Sequence, residues 1–481
     1  MSDYTTTAAS GVTAPTARLE PDAIGVAQDT VIGMASSAPA ASVGLTLGAL
    51  AAATAYGSGP IIIITAIPML IIANAYRRLN LWNANCGASF EWVGRAVNPY
   101  LGFLTGWLMI AAYVIATVSG VEVLGPNVLA VFGSNANSTA SDILIGTVVG
   151  LVMLVIAVVG IKITARTQVA MAVVEYAILI GLSIAGLFFI GSHAHTVHFT
   201  TGWLSPLGVA GKGSAVAGFL TAVFAFTGWD GTLYVNEEVK HRRVNPGRAA
   251  IIAVGLLAVI YTLSIVGLQG VLSPAKLAIA NNNGTVLTAA AQAIGGGFWA
   301  KAMALSLCLS VIATTGTGIV LSARIVYGMA SYRVLPEFLS NVSRRFATPV
   351  AASVIVGLLI VILSAVYYLI TSVQGAFTDI VYIVGLLFVI FYVLTACATL
   401  AYYRRRLMSS WQNAISLGFL PAAAAVFLTW IFVRSLQTAP WTQRWSLIGI
   451  LLAGIVLMFY ARFGLKSSFF KMPLESEPAE S

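Results

Sequence analysis

The chain has 481 residues, of which 59% are hydrophobic and only 9% charged, and its mean hydropathy is +0.92. Soluble domains carry about 25% charged residues, so this composition excludes an ordinary soluble enzyme and predicts a polytopic helical membrane protein. The net charge of +9 reflects membrane topology, as shown below, and we expect no nucleic-acid partner.

Apolar runs long enough to cross a bilayer follow one another along the chain. Twelve such runs predict an all-α fold of twelve transmembrane helices, at 28–54, 58–80, 99–131, 141–161, 167–191, 213–237, 247–272, 298–330, 348–370, 376–403, 412–437 and 442–464. The polar segment 1–23 is predicted to be a disordered tail. The polar segment 465–481 is predicted to be a second, frayed tail.

The basic residues are distributed unequally between the two sides of the predicted bundle. Because the number of spans is even, both termini lie on one side, and 20 of the 25 Lys and Arg residues fall there. This bias predicts cytoplasmic termini in a cell membrane, with lipid headgroups as partners of the basic residues. The loops on the opposite side, including 273–297, are predicted to be short and polar.

The centre of the first span carries residues that interrupt a helix. Pro39 lacks a backbone N–H and clashes with the preceding turn, and Ala35, Ser36, Ser37 and Ala38 come directly before it. Serine hydroxyls can bond the carbonyl groups that a break releases. We predict a broken helix here, with a simple proline kink as the alternative.

The sixth span carries a second interruption, formed by Thr227, Gly228, Trp229, Asp230 and Gly231. An interior glycine costs a helix about 1 kcal/mol, and a charged Asp at a helix centre costs about 2.5–3.5 kcal/mol. We therefore predict a break whose freed backbone groups face a polar cavity. The alternative is a glycine-flexed helix with a neutral, hydrogen-bonded carboxyl group.

The two interruptions are five spans apart, so their helices run in opposite directions. This indicates an inverted repeat of five helices, 24–191 and 213–403, followed by two extra helices at 412–464, with the substrate between the breaks. Helix ends there would suit both charges of a zwitterionic amino acid. An organic diamine would favour carboxylates and aromatic rings, and Phe224 and Phe226 lie beside the second break.

Four separated blocks resemble the amino acid–polyamine–organocation transporter superfamily, in the order of that family. They read NANCGASFEWVGRAVNPYLGFLTGW, GIKITARTQVAMAVVEYAIL, FAFTGWDGTLYVNEEVK followed by NPGRA, and SARIVYGMASYRVLPEFLSNVSRRFATPVAAS. The resemblance covers about residues 24–464. It implies a leucine-transporter-like fold and a secondary transporter rather than an enzyme.

The sequence differs from the family pattern at one place. Many members break the first helix with a Gly-Ser-Gly type sequence whose bare backbone clasps a substrate carboxylate. Here the stretch 35–39 lacks those glycines and looks like the breaks of some putrescine and amine importers. A polyamine or amine importer therefore stays open as an alternative.

By resemblance, several residues are candidates for substrate binding. Asp230 lies where relatives have an acid beside the second break, and it is expected to hold a substrate ammonium or to respond to pH. Phe224 matches an aromatic residue that caps the occluded substrate. The residues of both breaks complete the predicted substrate site: Ala35, Ser36, Ser37, Ala38, Phe226, Thr227, Gly228 and Trp229.

Other residues are candidates for ion coupling. Glu175 falls where relatives have a Lys that replaces a coupling sodium ion, and a buried carboxyl group can bind and release a proton. Thr314, Thr315 and Thr317 resemble a hydroxyl face that contacts a cation site, although such hydroxyls also bond within their own helix. Two further acids, Glu122 and Asp379, are weaker candidates.

Together these observations predict a secondary active transporter for amino acids, working by alternating access as a proton-coupled symporter. An exchanger is the competing mechanism. A channel would need a continuous polar pore, and an enzyme would need a catalytic or metal-binding cluster. We expect no cofactor and no metal site, a proton or sodium ion as the coupling ion, and a monomer or homodimer.

Overall fold

The computed structural model describes residues 18–134, 138–192, 197–370 and 373–477. Its regular structure is helical, with one isolated parallel bridge between Ile24 and Val239. The α-helices are α1 (Val26–Ser36), α2 (Pro39–Thr54), α3 (Ser58–Trp82), α4 (Ser89–Ala96), α5 (Pro99–Val131), α6 (Thr139–Val159), α7 (Ile161–Ser192), α8 (Ala215–Ala225), α9 (Asn245–Leu268), α10 (Pro274–Asn282), α11 (Val286–Ser331), α12 (Val350–Ile370), α13 (Val373–Tyr402), α14 (Trp411–Thr438) and α15 (Trp441–Gly464).

Twelve segments of the described chain are long and apolar enough to cross a bilayer, as predicted. Helices α1 and α2 together form the first segment, and α8 with the 3-10 helix Trp229–Leu233 forms the sixth. Short π-helical turns occur at Ala414–Phe419 in α14 and at Tyr460–Gly464 in α15. We call the end of the bundle where α1 begins and α15 ends the terminal face, and the opposite end the distal face.

The packing of the helices follows the predicted inverted repeat. The first repeat consists of α1/α2, α3, α5, α6 and α7, and the second of the α8 segment, α9, α11, α12 and α13. Equivalent members pack against each other: α3 against α9, α5 against α11, and α6 against α12. The extra helices lie outside this core, α14 against α3 and α13, and α15 against α5.

Glycines allow α7 and α9 to approach closely. A Cβ atom on Gly267 would lie 2.4 Å from the Ser183 carbonyl oxygen, and one on Gly186 would lie 2.3 Å from the Gly267 carbonyl oxygen. Small residues at helix contacts are how membrane bundles gain close packing without a hydrophobic driving force. This contact fixes α7, which carries Glu175, against the second repeat.

The distal segment 273–297 differs from the short polar loop that the sequence predicts. It contains α10 and the first turns of α11, which is bent at Gly295 and Gly296. Leu277 and Ala280 of α10 are buried, and α10 packs against α2. The prediction was wrong because buried apolar residues are spaced at helical intervals within a polar stretch.

The predicted tails also need correction. Leu19 is buried with Cys86 and Tyr327, so residues 18–23 are ordered, while 1–17 lie outside the described residues. At the other end, Phe469 stacks on Phe90 with ring centroids 4.5 Å apart. The Glu475 carboxylate pairs with Arg95 at 3.0 Å, so the segment 465–477 packs onto the terminal face.

Replacement of Phe469 by Ala should destabilise the protein by about 3–5 kcal/mol, because the ring is 1% exposed and its removal leaves a cavity. Thermal unfolding in detergent should show a lower Tm. Leu474→Ala is the matched control, since Leu474 is on the same segment but 54% exposed. Equal Tm values for the two variants would contradict the packed segment.

Candidate functional site

The first helix is interrupted where the sequence predicts. α1 ends at Ser36, Ala38 has left-handed backbone angles (φ 46°, ψ 65°), and α2 begins at Pro39. The hydroxyl of Ser37 donates to the Gly33 carbonyl oxygen at 3.2 Å. The hydroxyl of Ser42 donates to the Ser37 carbonyl oxygen at 2.6 Å. Serine hydroxyls therefore bond a carbonyl group of α1 and one in the break itself.

The sixth segment is also interrupted, but its second half differs from an α-helix. α8 ends at Ala225, and Gly228 follows with φ of 101°, a conformation that glycine adopts without strain. The chain then continues as two short 3-10 helices, Trp229–Leu233 and Asn236–Glu238. The break is confirmed, and the glycine-flexed continuous helix was the wrong alternative.

The two interruptions lie against each other inside the bundle. A Cβ atom on Gly228 would lie 2.5 Å from the Ser36 carbonyl oxygen. A Cβ atom on Gly33 would lie 2.9 Å from the Trp229 carbonyl oxygen and 2.6 Å from Cγ2 of Thr232. The two backbones therefore approach so closely that a side chain at Gly33 or Gly228 would clash. The structure brings together the two sets of residues that the sequence assigns to the substrate site.

Asp230 is fully buried beside this contact and is held by tyrosines. The Tyr392 hydroxyl of α13 donates to Oδ1 of Asp230 at 2.7 Å, and the Tyr234 hydroxyl donates to Oδ2. The Tyr113 hydroxyl of α5 donates to the Gly228 carbonyl oxygen at 3.3 Å. The carboxyl group is therefore held by one tyrosine of its own segment and one of α13. No ion pair among the described residues involves it.

Aromatic rings surround the second break. The Trp229 ring stacks on Tyr392 and meets Tyr76 edge to face, each at 5.3 Å between centroids. Phe226 meets Tyr261 edge to face, also at 5.3 Å. Trp229 and Tyr392 are fully buried with Asp230, so aromatic rings enclose the carboxyl group on this side of the break.

The predicted substrate residues differ in exposure. Ala35, Ser37, Phe226, Thr227, Gly228, Trp229 and Asp230 are buried, whereas Ser36, Ala38 and Phe224 keep part of their surface accessible. Thr314 of α11 is accessible as well. Among the candidate residues whose side chains the structure describes, these four keep accessible surface.

Glu175 lies at the first break, buried between α7 and α2. Its Oε1 accepts a hydrogen bond from the Ala40 N–H at 3.0 Å, and the hydroxyl of Ser310 accepts one from the Ala41 N–H at 3.3 Å. The Ser306 hydroxyl donates to the Glu175 carbonyl oxygen at 3.1 Å. Side chains from α7 and α11 therefore satisfy the N-terminus of α2.

The three threonines of α11 divide into two groups. The Thr314 hydroxyl is 2.8 Å from the Ala35 carbonyl oxygen and also 2.8 Å from the Ser310 carbonyl oxygen of its own helix, so this residue reaches the first break. Thr315 and Thr317 donate to carbonyl oxygens of their own helix, the alternative that the sequence left open. The sequence pattern alone could not separate these positions, because all three lie within one helical turn.

Three other acids complete the inventory of candidates. Glu122 lies in α5 and Asp379 in α13, but their side chains fall outside the described part of the structure. Asp29 of α1 is a further buried acid that the sequence-based prediction did not include. It is fully buried, and neither carboxylate oxygen has a hydrogen-bond partner within the described residues. The cost of an intramembrane acid, applied to Asp230, would have identified it too.

The terminal face is closed below the two breaks. Arg324 of α11 and Glu238 form a bidentate ion pair at 2.9 and 3.0 Å, and both side chains are fully buried. The Lys240 N–H donates to the Ile24 carbonyl oxygen at 2.9 Å, which ties the start of α1 to the end of the sixth segment. Both interrupted segments are thus anchored at the same end.

The fold, with its paired interruptions, is that of an inverted-repeat membrane carrier. A family model described as amino acid permease matches residues 28–459. Because the match covers most of the chain, the protein belongs to the amino acid permease family. The crystal structure of MhsT in complex with L-phenylalanine has a similar fold, with a TM-score of 0.57, 16% identity, and coverage of 86% of this chain and 99% of MhsT.

Curated relatives match only part of the chain. Asc-type amino acid transporter 1 from Mus musculus is 29% identical over 150 residues, which are 31% of this chain and 27% of the relative. The arginine/ornithine antiporter ArcD2 from Lactococcus lactis subsp. cremoris is 20% identical over 331 residues, 64% of this chain and 65% of the relative. The chain thus matches less than two thirds of either relative.

Substitution of Gly228 by Ala should damage the site, because the new methyl group would meet the Ser36 carbonyl oxygen at 2.5 Å and the φ of 101° disfavours alanine. The strain is worth about 1–3 kcal/mol. We expect a lower Tm and loss of solute uptake in proteoliposomes. Gly181→Ala is the control, since a Cβ atom there meets nothing within 4 Å. Normal uptake by Gly228→Ala would show that the two breaks need not touch.

Proposed function

We propose that this protein is a secondary active transporter that carries amino acids across a cell membrane. The observation that supports this function best is the contact between two interrupted helices of opposite direction, at Ser36 and Gly228. Membership of the amino acid permease family supports the substrate class. The names of the mammalian and bacterial relatives point to the same class.

The transport cycle that we propose is alternating access. In the present conformation the buried Arg324–Glu238 pair closes the terminal face, while Ser36, Ala38 and Phe224 remain partly accessible. Breaking a buried ion pair costs about 3–5 kcal/mol when one partner is lost, so this pair is a suitable latch for the closed state. We assign the terminal face to the cytoplasm because it carries the excess of basic residues.

The coupling ion that we propose is a proton. Glu175 and Asp230 are buried acids, and neither forms an ion pair among the described residues. Each can therefore bind a proton without displacing a basic partner. Sodium is the alternative coupling ion, because the Thr314 hydroxyl and the Ala35 carbonyl oxygen, 2.8 Å apart, are both oxygen groups that a cation could use.

Uptake in proteoliposomes tests this function directly. An inward proton gradient should accelerate the accumulation of one or more amino acids from a mixed panel, and an ionophore that collapses the gradient should abolish it. The same experiment with a sodium gradient alone is the control and should give no accumulation. Accumulation driven by sodium would contradict proton coupling, and no movement of any amino acid would contradict the function.

Exchange is the second candidate mechanism, favoured by the antiporter named among the relatives. Preloading the vesicles with unlabelled substrate distinguishes the two mechanisms. An exchanger takes up label only into preloaded vesicles, whereas a symporter also fills empty ones. Amines added to the substrate panel address the amine-importer alternative in the same assay.

A further inference from the structure

The N-terminus of α2 has no free backbone donor in this conformation. Pro39 has no N–H, the Ala40 N–H is bonded to Glu175, and the Ala41 N–H is bonded to Ser310. The Ser42 N–H donates to the Ala38 carbonyl oxygen at 2.7 Å, within the helix. The place at the first break where a helix end would bind an anion is therefore filled by the side chains of the protein itself.

We propose that Glu175 is an internal substitute for the carboxylate of the transported amino acid. It holds the α2 N-terminus in the empty carrier, and it gives up the Ala40 N–H to the substrate carboxylate when it takes up a proton. The inference rests on the proposed transport of amino acids. It adds the reason why proton and substrate would bind together.

In this step, one carboxylate replaces another as the hydrogen-bond acceptor of the Ala40 N–H. One proton from solution bonds to an oxygen of the Glu175 carboxylate, and the neutral carboxyl group loses its charge-assisted hydrogen bond to the Ala40 N–H. Oε2 has no hydrogen-bond partner within the described residues, so it is free to accept that proton. The substrate carboxylate then supplies the charged acceptor, which binds an N–H about twice as strongly as a neutral one.

The groups closest to Glu175 are neutral. Ser310 and Ser306 of α11 provide hydroxyls at this position. Tyr261 of α9 and Tyr176 of α7 are the titratable neighbours, and the Tyr261 hydroxyl donates to the Ser37 carbonyl oxygen at 3.4 Å. None of these groups can balance two carboxylates, so Glu175 and a substrate carboxylate would repel each other unless one is protonated.

Charged residues on the neighbouring helices lie far along their axes. On α11, Lys301 and Arg324 are about 14 Å and 21 Å from Ser310 at 1.5 Å per residue. Arg248 of α9 is about 20 Å along the axis from Tyr261. Asp29 lies about 10 Å before the end of α1, and Asp142 is in the first turn of α6. Asp230, the other buried acid near the breaks, is held by Tyr392 and Tyr234 on the side of the sixth segment. Glu175 is therefore the acid that bonds to the α2 N-terminus itself.

The test measures the KM for an amino acid that the wild-type protein carries, in proteoliposomes across a range of pH. The wild-type KM should fall by about tenfold as the pH is lowered, because protonation frees the Ala40 N–H. Glu175→Gln is neutral at every pH, so its KM should stay at the low value that the wild-type reaches in acid. Glu175→Asp keeps an ionisable group and should keep the pH dependence.

Ser183→Ala is the matched control, because Ser183 is a buried residue of α7 that bonds to Ser264 of α9, away from the break. Its KM should follow pH as the wild-type KM does. A wild-type KM that does not change with pH, or a Glu175→Gln variant that keeps the pH dependence, would overturn the inference. The Tm of each variant shows whether it is folded. If Glu175→Gln does not fold, Glu175→Asp provides the test, and loss of its pH dependence overturns the inference.

A second test substrate is the amine formed by decarboxylation of the same amino acid. It distinguishes failure of this inference from failure of the proposed function. If amines alone are carried, or if neither class is carried, amino acid transport itself is wrong. If amino acids are carried with a KM independent of pH, the function stands and only the role of Glu175 fails.

Discussion

A backbone group released from a helix at membrane depth must find its partner inside the protein, because lipid offers none. The structure depends on this constraint at its two interruptions. Around the first, Ser37, Ser42 and Thr314 bond carbonyl oxygens, while Glu175 and Ser310 bond N–H groups. Around the second, Tyr113 of α5 bonds the Gly228 carbonyl oxygen. The helices that surround the breaks are therefore as much part of the site as the breaks themselves.

The interrupted segments and the continuous helices around them have different roles at the site. The interrupted segments meet through bare backbone at Gly228 and Ser36, which leaves little room for side chains between them. Selective groups are instead supplied from α7, α11 and α13, as Glu175, Thr314 and Tyr392 show. Movement of an interrupted segment relative to these helices would change the partners of Asp230 and of the α2 N-terminus together.

The sequence predicted the elements that leave a local signal. Pro39 and Gly228 punctuate apolar runs, and hydropathy marks the twelve spans. It could not predict partners that are single residues on distant helices, such as Tyr392 and Ser310, because no pattern links them to the breaks. The 3-10 geometry after Gly228 also had no local signal. The 465–477 segment was misread because its polarity concealed two buried aromatic rings.

That C-terminal segment has a consequence for biogenesis. Phe469 fills a space beside Gly94 of α4 and Tyr332, which follows α11, so it joins the two halves of the bundle. The surface that it covers stays open while the preceding helices are inserted one after another. The terminal face can therefore complete its packing only after residue 470 has been synthesised.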